Sequence, residues 1–91
     1  MPVWYRRANR AIWRHIHGSV LVRPVEDVTV TVLTGTGEDI WHLLNTPLTV
    51  EQLADQLADH YAQPAGDIVR DIAPILTGLA ARGVLDEVTS P

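Results

Sequence analysis

The sequence predicts an α+β domain in which a three-stranded antiparallel sheet is followed by three α-helices. Three observations carry this. The first third of the chain alternates apolar and polar residues with period two, and the remainder repeats them near period 3.6. The connections between the early apolar runs are too short for anything but antiparallel neighbours. Ninety-one residues suit a single domain, 1–91, with 1–10 and 87–91 read as flexible ends.

The elements follow in order. Ala11-Ile12-Trp13-Arg14-His15-Ile16 and Ser19-Val20-Leu21-Val22-Arg23 read as two strands flanking Gly18. Pro24-Val25-Glu26-Asp27 carries turn chemistry. Val28-Thr29-Val30-Thr31-Val32-Leu33 is the cleanest strand, β-branched at its first five positions and alternating. A sheet of three strands with one apolar face needs a cover. Helices supply it. Thr36 reads as the cap of the first, with Glu38 and Asp39 in its first turn and Ile40, Trp41, Leu43 and Leu44 as its stripe. Asn45-Thr46-Pro47 ends it, because a residue before proline avoids the α region. Thr49 and Gln52 match a capping box, with Leu48 and Leu53 as a hydrophobic staple. That second helix runs to about Tyr61, with Val50, Leu53, Leu57 and Tyr61 inward. The third spans about Asp67 to Arg82 on a stripe of Ile68, Ile72, Ile75, Leu76 and Leu79, stopped by Gly83. Pro74 inside it predicts a kink or a later start. Val84-Leu85 is expected to pack back, and the tail from Asp86 to fray.

Charge is lopsided. Arg6, Arg7, Arg10, Arg14 and Arg23 stand without an acid in the first 23 residues, and Arg70 and Arg82 face all 11 acids thereafter. An acidic C-terminal part repels a phosphate backbone, so no nucleic-acid partner is expected. The arginines suit either an acidic partner or the solvated edge of a sheet. Cysteine is absent, which excludes disulfides and thiolate metal sites. No apolar run approaches the ~18 residues of a membrane span, and the N-terminus lacks the apolar region of a signal peptide. No membrane partner and a cytoplasmic location are therefore expected.

Catalytic chemistry finds no footing. His15 and His17 share a strand face, but no acid or cysteine lies nearby in sequence to complete a metal site. His42 and His60 read as single surface histidines. Asp55 and Asp59 lie on a solvated helix face. Gly35-Thr36-Gly37 lacks the third glycine and the parallel partner strand of a dinucleotide loop. Ser19 has no nucleophile elbow around it. No enzyme activity, catalytic residue, cofactor or metal is expected. What remains is an open strand edge, whose free N–H and C=O groups must be paired, blocked or used. An extended peptide can add there as a further strand. Core packing is the plain alternative for the valines.

From Ser19 to Leu85 the chain resembles the PqqD-like proteins, also called recognition elements of ribosomally synthesised and post-translationally modified peptides. Val20-Leu21-Val22 before Pro-Val-Glu-Asp is similar to the family's strand and turn. Ile40-Trp41-His42-Leu43-Leu44 is similar to its Ile-Trp-x-Leu-Leu helix, and Leu48-Thr49-Val50-Glu51-Gln52-Leu53 to its helix cap. Asp71-Ile72, Leu76, Leu79 and Arg82-Gly83-Val84-Leu85 are similar to its closing pattern. The resemblance implies a winged helix-turn-helix fold that binds the leader segment of a precursor peptide and hands it to a separate modifying enzyme, such as a leader protease, a cyclase or a radical enzyme. It implies that the leader pairs with Val28, Thr29, Val30, Thr31, Val32 and Leu33 and lies beside the third helix. Ile68, Asp71, Ile72 and Ile75 share a face of that helix and would line the groove, with plain core packing as the alternative, and Arg70 would either meet an acidic leader residue or stand solvated. A DNA-binding regulator and a dimerisation domain using the same edge, giving a homodimer, are the competing readings.

Overall fold

The computed structural model describes residues 2–90. Six strands and three helices follow in chain order: β1 (Trp4–Arg7), β2 (Ala11–Ile16), β3 (Ser19–Pro24), β4 (Thr31–Leu33), α1 (Thr36–Leu43), β5 (Leu48–Thr49), α2 (Val50–Tyr61), α3 (Ala65–Ala81) and β6 (Leu85–Val88). The α+β class is as expected, but the strands form two sheets rather than one. The expected meander is the sheet β2-β3-β4, and a second sheet runs β5-β1-β6.

The second sheet takes up Trp4–Arg7 and residues 87–88 of the ends expected to be flexible, while residues 1 and 91 lie outside the described ones. Trp4 stands opposite both Thr49 and Val88, and Arg7 opposite Leu85. Trp4–Arg7 and Leu85–Val88 are thereby tied together beside Leu48 and Thr49, the two residues that lead into α2. Four of the five early arginines have partners within the chain. Arg6 pairs with Asp86 at 3.5 Å and Arg10 with Glu26 at 3.0 Å. Arg7 reaches the end of α1. Arg23 Nη1 donates to the carbonyls of Pro24, Val25 and Asp27 and so closes the turn after β3.

In the first sheet, β2 and β3 join through His17-Gly18, where Gly18 has φ 77°. Val20 and Val22 on β3 and Leu33 on β4 face the helices and are buried. They meet Ile40 and Trp41 of α1, Leu53 and Leu57 of α2, and Ile72 and Leu76 of α3 in one core, which Val84 and Leu85 close as expected. Burial of these side chains away from water is the main stabilising term.

Helix boundaries follow local chemistry with two corrections. The Thr49–Gln52 capping box is present, with Gln52 N donating to Thr49 Oγ1 at 3.1 Å and Thr49 N to Gln52 Oε1 at 3.0 Å. Thr36, however, is not a cap. Gly35 at φ 57° takes that place, because the turn out of β4 needs a left-handed residue, and no side chain caps α1. Helix α3 starts early, at Ala65, and runs through Pro74, whose ring lies on its exposed side. There the lost N–H leaves a carbonyl to water rather than to the core.

Candidate functional site

The outer margin of β4 is one of the two open edges of the first sheet, β2 being the other. Among the described residues β4 pairs with β3 alone, in the register Val20–Leu33, Leu21–Val32 and Val22–Thr31. Trp4–Arg7 pairs in the other sheet, and among the described residues no strand occupies this margin.

The strand is shorter than its sequence suggests. Val28, Thr29 and Val30 precede it and make no ladder. Continued, the register would set Thr29 opposite Pro24, which has no N–H to give. The approach to β4 is held another way. Thr29 N donates to Asp27 Oδ1 at 3.0 Å, an Asx turn. That bond, with further help from Val28 and from the Arg23 charge, keeps the Asp27 carboxyl below its ordinary range.

Side-chain direction follows the pleat. Leu33 faces the core and is buried, and Thr31 lies on the same side. Val32 stands opposite Leu21 on the outer face of the sheet and is 59% exposed, Val30 is 47% exposed, and Val28 is 89% exposed. The valines are thus surface residues rather than core. With Ile12 and Ile16, Val30 and Val32 form an exposed apolar patch on the outer face of the sheet, interrupted by Arg14 and Arg23.

Between the Asp27–Val32 segment and the end of α3 lies a groove of about 460 Å³, lined by Pro24, Asp27, Thr29, Val30, Thr31, Val32, Ala81 and Arg82. An extended chain added to β4 would run along it. The strand-side candidates Thr29, Val30, Thr31 and Val32 therefore meet in one concavity. The helix-side candidates divide. Ile68 and Ile72 are core residues at 2% and 0% exposure. Arg70 donates to Asp67 at 3.3 Å, and with Asp71 it lines a separate depression near Gln63. Ile75 is half-buried against the core. At 100° per residue, Asp71, Ile75, Gly78 and Arg82 share one flank of α3, and Arg82 on that flank opens into the groove. Ala81 and Arg82 were not singled out from the sequence. A contact made at the last turn of a helix leaves no periodic signal beyond the helix stripe itself.

The groove carries no catalytic constellation among its lining residues: one carboxylate, one guanidinium and two threonine hydroxyls surround apolar side chains and main chain.

Comparison with known proteins identifies the family and a similar fold. The family model described as coenzyme PQQ synthesis protein D (PqqD) matches residues 18–85. The solved structure of TbiB1 in complex with the TbiA(β) leader peptide superposes with a TM-score of 0.82 at 22% identity, over 93% of this chain and 99% of that one. No curated protein sequence matches the chain.

Proposed function

The chain belongs to the PqqD family, and from that premise we propose that it binds the leader segment of a ribosomally made precursor peptide and presents it to a separate modifying enzyme. The observation that carries this reading is the unpaired margin of β4 beside an open groove that ends at Ala81 and Arg82. A guest strand would take its main-chain bonds from β4 and place alternate side chains into the groove. The leader peptide bound to the structurally similar TbiB1 supports the same class of ligand. The fold is read as a winged helix-turn-helix in which β2 and β3 form the wing.

The enzyme would be supplied in trans. The exposed apolar patch of Ile12, Ile16, Val30 and Val32 on the outer face of the sheet supports a second docking surface. A guest strand on β4 would continue that face, so an enzyme seated there would contact protein and leader together. Nucleic acid is disfavoured as the partner, because α2 exposes Glu51, Asp55 and Asp59 and carries no lysine or arginine.

The experiment is a fluorescence-anisotropy titration with the labelled leader of a candidate precursor peptide from this gene's neighbourhood. Saturable binding that changes little between 50 and 500 mM salt is expected, those concentrations being chosen to span roughly a threefold change in screening length. No binding to that leader, or binding to a DNA duplex that collapses with salt, would overturn the reading.

A further inference from the structure

His15, Glu38 and His42 are brought together from two elements, and nothing in leader binding uses them. We infer that these three side chains form a binding site for a divalent transition-metal ion of the zinc class.

The geometry is the argument. His15 Nε2 lies 2.9 Å from Glu38 Oε2, His42 Nε2 lies 3.8 Å from the same oxygen, and one ligand atom from each residue falls within 4.8 Å of the others. A tetrahedral zinc ion with bonds of ~2.0–2.2 Å holds its ligand atoms ~3.3–3.5 Å apart. The observed spacings bracket that value, so small side-chain rotations bring all three onto one ion.

The scaffold holds the ligands in place. Glu38 and His42 are four residues apart on α1 and share a face. His15 stands opposite buried Val20, on the side of the sheet that faces the helices. The His15 and His42 rings meet edge to face at 5.2 Å, and Trp13 meets His42 at 6.2 Å. Arg7 donates to the carbonyls of Trp41 and His42, which fixes the backbone that carries one ligand.

The ligand types select the ion. Two imidazoles and one carboxylate suit zinc, nickel and copper(II). Calcium and magnesium prefer sets of oxygen ligands, and only Glu38 offers one here. Three protein ligands leave one position open to water or to a partner's side chain. Bound metal would cross-link strand β2 to α1. A plain ion pair explains less: exposed pairs contribute little, and one pair does not account for the second histidine converging on the same oxygen.

The test uses the tag-free full chain, stripped with chelator and titrated calorimetrically with Zn²⁺ in a non-coordinating buffer. One ion per chain is expected, with a rise in melting temperature that Mg²⁺ does not reproduce. Glu38→Gln and His42→Ala should each weaken Zn²⁺ binding at least about tenfold and abolish the thermal shift. Metal-free circular dichroism checks that these variants remain folded, and His15→Ala provides an independent variant if one does not. Absence of Zn²⁺ binding, or binding unchanged by these substitutions and lost instead with His17→Ala or His60→Ala, would overturn the inference. Neither outcome bears on leader binding, which is read separately.

Discussion

Arg7 Nε and Nη2 donate to the carbonyl oxygen of Trp41 at 2.8 and 2.7 Å. The same guanidinium lies over the rings of Trp13 and Trp41, with centroids 4.8 and 5.3 Å away. One side chain from β1 thus caps α1 and joins the two sheets. Charge-assisted bonds of this kind contribute about 1.5–3 kcal/mol. Arg7→Ala is expected to lower unfolding free energy by about 2 kcal/mol in urea denaturation. Arg7→Lys should recover only part of it, because an ammonium cannot fork onto one carbonyl through two N–H groups and lacks the planar guanidinium that lies near both indoles.

Core and groove separate by mutation. Ile72 is fully buried, so Ile72→Ala should cost about 3 kcal/mol by leaving a cavity. Its effect on leader affinity should disappear once the folded fraction is accounted for. Ala81 is exposed and lines the groove. Ala81→Trp should change stability by no more than about 0.5 kcal/mol and reduce leader affinity by an order of magnitude or more. Paired urea and anisotropy titrations read both quantities.

Gly78 sits inside α3, and a Cβ placed there meets no atom within 4 Å outside its own helix. Gly78→Ala is therefore expected to raise stability by about 0.5–1 kcal/mol through reduced backbone entropy in the unfolded chain. A rise in melting temperature checks it. A fall would show that the flank is closed.

Asp27 links pH to the approach to β4. Its carboxyl titrates below the ordinary carboxylate value, chiefly through the bond from Thr29 N. The sign follows from linkage: a depressed native value contributes stability above the unfolded value and loses it as pH falls through the native one. Leader affinity should hold across neutral pH and fall only in acid, below the usual carboxylate range. Asp27→Asn keeps an acceptor oxygen and should retain most affinity at pH 7, whereas Asp27→Ala should not. Anisotropy titrations from pH 3 to pH 7, about the span of a carboxylate's titration, measure this.

Legibility in the sequence tracked how local the information is. Thr49 and Gln52 write the start of α2 within four residues, and that helix was read from them directly. Strands β2 and β3 carry their period and a glycine turn. Strands β1 and β6 were missed because Trp4 takes its partners from Thr49 and Val88, and no local pattern in Trp-Tyr-Arg-Arg announces pairing at that separation. Val28–Val30 was overread. β-branched alternation states a preference, but Pro24 cannot donate and Val25 N is already given to the Arg10 carbonyl at 2.7 Å, so the ladder stops at Thr31. The open margin at Thr31 and Val32 is legible because a strand edge follows from the strand pattern itself. The helix side of the site is not, since Ile68 and Ile72 look alike whether they line a groove or a core. The meeting of His15 with Glu38 and His42 was invisible for the same reason as β1: the partners lie on another element.

The central claim is that a guest strand zips onto β4. Amide hydrogen exchange of the 15N-labelled protein, with and without the candidate precursor's leader, tests it most directly. Bound leader should slow exchange at one or more of the amides of Thr31, Val32 and Leu33 and shift resonances of Ala81 and Arg82, with β1 unchanged. Saturating leader that leaves the β4 amides exchanging as in the free protein would contradict the account.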